Sequence, residues 1–136
     1  MTTHAAGTFE VKLAPQKPDN PQAEAAGLGR MSIEKQFQGD IEGTSQGEML
    51  SYMTDVKGSG VYVAIERVNG TIEGRSGSFV LHHTGIMTRS APQLSVRVAP
   101  DSGTGELAGI SGTLAIKIEN GKHFYEFEYS LPPLAE

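Results

Sequence analysis

The chain has 136 residues, a formal charge of −5 at pH 7 and a pI near 5.3. Its 11 Lys and Arg form no cluster, which excludes the basic patch that nucleic acid or an anionic membrane requires. With no cysteine there is no disulfide framework, no thiolate metal site and no Cys nucleophile.

The length suits one domain over residues 1–136, and 17 glycines with no tryptophan favour short strands over helices. MTTHAAGTFEVKL lacks a basic region followed by an apolar run, and no window reaches the roughly 18 apolar residues of a spanning helix. The expectation is a cytoplasmic protein with no membrane partner.

Residues 7–14 alternate, with Phe9, Val11 and Leu13 on one face and Thr8, Glu10 and Lys12 on the other. That is the period of a half-buried strand. Residues 15–29 carry three prolines and no period, so they are expected as a long loop with a helical turn at 22–26, lying across a barrel mouth. Residues 29–39 form a second strand, with Met31, Ile33, Lys35 and Phe37 on one face. A turn at 39–43 leads to a third strand over 44–55, where Met49, Ser51 and Met53 compete with Leu50 and Tyr52 for the core side.

Residues 60–85 read as one long hairpin. With its tip at Arg75-Ser76, Ile72 faces Phe79, Gly70 faces Leu81 and Val68 faces His83. Alternation then sets Tyr62, Ala64 and Glu66 on the wall of His83, and Val61, Val63, Ile65, Arg67, Val80 and His82 on the other. A rival tip at Asn69-Gly70 would oppose Glu66 to Glu73, and like charges facing each other are unfavourable. Residues 86–93, with Pro92, read as a connection to a strand at 94–98. Residues 100–112 are glycine-rich, with one helical turn at 106–108. Asn120-Gly121 suits a two-residue type I′ turn between strands 113–119 and 122–131, pairing Ile118 with His123, Ile116 with Tyr125 and Leu114 with Phe127.

These segments predict an all-β fold: an eight-stranded antiparallel up-and-down β-barrel over residues 7–131, with little helix. No helix is available to cover the second face of an open sheet, whereas closure removes the edges.

The motifs Gly74-Arg75-Ser76-Gly77-Ser78-Phe79-Val80-Leu81, Ser102-Gly103-Thr104-Gly105-Glu106-Leu107 and Gly109-Ile110-Ser111-Gly112 carry a resemblance. The chain resembles, over nearly its whole length from Gly7, a bacterial family of unknown function that is similar to the allene oxide cyclase and dirigent barrels. The resemblance implies a barrel with a central cavity, in a class whose members often form trimers. It brings no established catalytic residue.

Lys35, Tyr62, Glu66, His83, Tyr125 and Tyr129 all fall on predicted inner faces, a polar cluster on an otherwise apolar wall. Glu66 and His83 are the candidates for proton transfer; the competing reading is a satisfied structural pair, because buried charges are usually paired. His82 and His83 point to opposite faces and share no ligand spacing with other groups, so no metal is expected, and no cofactor. The glycines of 103–109 lack the strand before and helix after that a dinucleotide loop needs, and suit a barrel corner instead. Arg75 and Ser76 read as a solvated turn. Val61, Val63 and Ile65 facing outward suggest a homo-oligomer, a dimer or trimer, the alternative being a cover from the loop over 15–29. Three functions remain open. They are binding of a small hydrophobic or amphipathic molecule, a cofactor-free isomerase or cyclase with Glu66 or His83 as base, and a structural module with a filled core.

Overall fold

The computed structural model describes residues 2–17 and 19–133. Its strands are β1 (Thr3–Gln16), β2 (Gly29–Gly39), β3 (Ile41–Met53), β4 (Gly60–Ile72), β5 (Arg75–Thr88), β6 (Ala91–Val98), β7 (Ser111–Glu119) and β8 (Lys122–Ser130). They pair in chain order and close antiparallel through β1 and β8, so the predicted barrel is the observed one. Helix is limited among the described residues to α1 (Pro21–Ala25), capped by the Asn20 side chain on the Gln22 amide, and a 3₁₀ turn at Gly105–Leu107. Neither is long and apolar enough to cross a membrane.

Three hairpins turn on two residues in the left-handed region: Glu73 and Gly74 (φ 50° and 78°), Arg89 and Ser90 (47° and 73°), and Asn120 and Gly121 (51° and 78°). Such turns match the right-handed twist of the flanking strands. The Asn120-Gly121 register is as predicted. The β4–β5 hairpin is not. Its tip is Glu73-Gly74, so Ile72 faces Arg75, Val68 faces Phe79, Glu66 faces Leu81 and Ala64 faces His83. Each pairing moves by an even number of residues, so every side chain keeps its predicted face. Asn69-Gly70 lies inside β4, and residues 86–93 are no connection, since β5 runs on to Thr88 and β6 starts at Ala91.

The two ends of the barrel differ. At one end Phe79 stacks on Phe127 (centroids 5.7 Å apart) and Phe127 on Tyr129 (5.2 Å). Leu107 and Ile110 are buried with them and close that end. The segment after β6 is stitched there to β5 by Thr104 N donating to Ser78 O (2.8 Å) and Val80 N donating to Ser102 Oγ (3.0 Å). A methyl group built on Gly103 would strike the backbone carbonyl of Leu107, which is why a glycine stands at this corner. Arg75 is not free in solvent: it donates to the carbonyls of Glu106 and Pro132, both at 3.0 Å, and straps the plug down.

The other end is open. There β6 and β7 meet at one residue pair, Arg97 with Thr113, and beyond it the two strands diverge from pairing. Of the loop 15–29 expected across this mouth, residues 19–28 take no part in its lining; Gly27 sits beside Tyr52 on the outer side.

Candidate functional site

Inward alternation along β2, β3, β4 and β5 places Lys35, Ser45, Glu66 and His83 at one level, where the packed half of the barrel meets the open half. Glu66 has no exposed surface. Its Oε2 accepts from Lys35 Nζ at 2.8 Å and its Oε1 from Ser45 Oγ at 2.8 Å. His83 Nε2 comes to 2.5 Å from the same Oε2, yet the approach lies off the ring N–H direction. The contact is therefore close without being a directed hydrogen bond, and this nitrogen is otherwise unpartnered among the described residues. Lys35 Nζ also lies over the Phe9 ring, 4.7 Å from its centroid, a cation–π contact that helps hold a desolvated ammonium.

Burial alone would raise the Glu66 carboxyl, because water no longer solvates its charge. The close contact with His83 and the Lys35 ammonium outweigh that and hold it at about 2. Glu66 is thus an ionised carboxylate inside a barrel, an arrangement that survives only while its partners are in place.

Above this cluster lies a pocket of about 210 Å³, with Val11, Ile33, Met49, Leu94 and Ile116 among the apolar residues of its walls. Lys35, His83, Tyr62 and His123 supply its polar surface. Tyr62 lies across Gly85 of β5, where any side chain would overlap its ring. Burial, then the Glu66 charge, raises the Tyr62 phenol, which keeps it a hydrogen-bond donor. Leu13, Leu94 and Ile118, all 43% exposed or more, form part of an apolar rim.

Of the residues expected at a ligand site, the structure brings together Lys35, Tyr62, Glu66 and His83. Tyr125 and Tyr129 are elsewhere. The Tyr125 hydroxyl accepts from Ile41 N (2.8 Å) and donates to Gln38 O (3.1 Å), bracing the β2–β3 turn. Tyr129 is in the aromatic stack of the closed end, its phenol pushed up to about 12 by burial and by neighbouring Glu73. Ser45 was not foreseen: the chain turns at Asp40 rather than across 39–43, since β3 already starts at Ile41, and that register sets Ser45 opposite Lys35. No group of three or more His, Asp or Glu among the described residues could hold a metal.

A family model described as "Protein of unknown function (DUF3224)" matches residues 5–129. The chain belongs to the DUF3224 family. A crystal structure of a DUF3224 protein of unknown function from Shewanella oneidensis MR-1 is 52% identical, with a TM-score of 0.90 over 98% of this chain and 100% of that one. No curated protein matches. The DUF3224 family therefore supplies a fold and not a chemistry.

Proposed function

We propose that this DUF3224 protein binds a small amphipathic molecule in the open half of its barrel. The observation that carries this reading is the buried Glu66–Lys35–His83 cluster set as the floor of an apolar-walled pocket with an open mouth. A filled structural core would have continued the packing of Phe79 and Phe127 to the far end; here Val11 and Ile116 still border the core, but they wall an open pocket of about 210 Å³. The apolar body would rest on Val11, Ile33, Met49 and Ile116, with the polar end toward Tyr62 and His83. At about 210 Å³ the pocket is smaller than the roughly 300–1,000 Å³ that suits drug-sized ligands, which favours a compact molecule.

Native mass spectrometry of protein purified from its own host tests this. A co-purifying small mass that disappears in Ile116→Trp, a half-buried pocket position, supports it. A bare polypeptide mass in both would return the barrel to a structural role.

A second reading uses the same floor for catalysis. His83 beside an ionised Glu66 is a base held in place by a carboxylate, suited to moving a proton in an isomerisation or cyclisation. A Glu66→Gln protein that binds normally and turns nothing over would favour it. The same proposal pairs copies of the chain through Val61, Val63 and Ile65, which are 49–63% exposed on the outer face. Sedimentation at a single-chain mass would overturn that part.

A further inference from the structure

We propose that the pocket selects an uncharged ligand, a ring-sized apolar body ended by a hydroxyl or carbonyl, and discriminates against the carboxylate and the amine of the same shape. This deepens the small-molecule reading above and rests on it.

Charge is balanced at the floor. Glu66 brings one negative charge and Lys35 one positive charge, 2.8 Å apart and both buried. Both carboxylate oxygens are already engaged, Oε1 by Ser45 and Oε2 by Lys35 and His83. The ammonium is likewise committed, to Glu66 and to the faces of Phe9 and Phe37. His83 Nε2 crowds the same Oε2, so that oxygen has no open side toward a ligand. The other titratable groups lining the pocket are Tyr62, a neutral phenol, and His123, whose ring packs 5.1 Å from that of Phe9.

An incoming carboxylate therefore finds the one ammonium already committed, while an incoming ammonium finds no uncommitted carboxylate and meets Lys35. Either must leave water without a partner, which is costly in an apolar pocket. What the floor does leave available is hydrogen bonding. The Tyr62 hydroxyl, on the pocket wall, has no hydrogen-bond partner among the described residues. A hydroxyl can donate to or accept from such a group, and a carbonyl can accept. On size, an apolar cavity of about 150 Å³ holds benzene. The open pocket of about 210 Å³ has room for one substituted ring.

The test is a matched series: p-cresol, p-toluate, p-methylbenzylamine and toluene, titrated into the full chain near pH 8, above the ordinary imidazole range. The readout is the NMR signals of its 4 histidines. The expected result is that p-cresol shifts the His83 signals and binds tighter than toluene, with both charged compounds at least about tenfold weaker than p-cresol. Changing the balance should change the order. Glu66→Gln leaves Lys35 unanswered and should move the preference to p-toluate, and Lys35→Met should move it to p-methylbenzylamine. Should one variant fail to fold, the other carries the switch, and the wild-type order is decisive alone. A wild-type protein that binds p-toluate or p-methylbenzylamine as tightly as p-cresol, or toluene as tightly as p-cresol, overturns the neutral-head assignment while leaving the pocket standing. If neither p-cresol nor toluene perturbs His83, the pocket reading fails and takes this inference with it.

Discussion

The buried ion pair makes a quantitative demand on stability. Glu66 is wholly buried and Lys35 nearly so, joined at 2.8 Å. Taking away one partner strands the other charge in the barrel, which typically costs about 3–5 kcal/mol, whereas removing both together is often neutral or stabilising. Glu66→Gln keeps the volume and an acceptor for Ser45, and Lys35→Met keeps an unbranched stem against Phe9 and Phe37. Each single variant is therefore expected to lose about 3 kcal/mol or more, and the double variant to return to within about 1 kcal/mol of wild type. With a urea m-value near 2 kcal/mol/M for a domain of this size, each single variant should unfold about 1.5–2 M earlier than wild type. The assay is equilibrium urea unfolding followed by circular dichroism, with m required to stay constant. If the double variant loses the sum of the two singles, the charges do not compensate each other, and the account of the floor as a balanced pair is refuted.

Further expectations follow from the same geometry. Glu66 titrates at about 2 in the folded chain against 4.5 as its ordinary value. A depressed carboxylate contributes fully above 4.5 and loses that contribution as pH falls toward 2, a span worth roughly 3 kcal/mol. Wild type should thus lose more stability than Glu66→Gln between those limits, and parallel pH profiles would contradict it. Gly85→Ala should displace the Tyr62 ring, whose place the new methyl takes, and weaken p-cresol binding more than it lowers the melting temperature. Replacing Arg89-Ser90, both in the left-handed region, by Asn-Gly should stabilise the β5–β6 hairpin by about 1 kcal/mol, read as a rise in thermal midpoint. Amides of residues 91–96 and 114–119 that face the seam should exchange faster than those of β3 and β4, because that side of each strand has no ladder partner.

How far the sequence could be read turns on what alternation does and does not encode. A period of two assigns a face, and it did so for the strands that carry Lys35, Tyr62, Glu66 and His83; on the third strand it left the core side open, and the structure turns Leu50 and Tyr52 outward and Ser45 and Met49 inward. Turn position was less visible. Gly74-Arg75-Ser76-Gly77 has glycines at both ends and looks like a loop, yet the chain turns two residues before Arg75-Ser76, on Glu73-Gly74, the pair that takes positive φ there. Arg89-Ser90 gave no sign at all, since neither residue favours that region. The turn is held from outside by Arg89 N donating to Ser59 Oγ and Ser90 N donating to Gly58 O. These tertiary bonds are not written in the local sequence.

Height along the barrel is the quantity that alternation omits. Tyr62, Tyr125 and Tyr129 share an inward face, but the stagger between successive strands sends the first to the open mouth and the other two to the closed end. The stagger is set by turns, so one misplaced tip shifts a predicted neighbour by several ångströms without changing its face. Glu66 and His83 stayed together despite such an error because the Glu73-Gly74 turn slides β5 against β4 by an even step and leaves Ala64, not Val68, opposite His83. The diagonal from Glu66 to His83 is then two residues along the strand, close enough for carboxylate and imidazole to touch. The candidate site is legible to the extent that it needs only faces and diagonals. Its floor, its plug and its mouth are products of the stagger, and they are what make a charged layer inside a barrel into the base of a pocket.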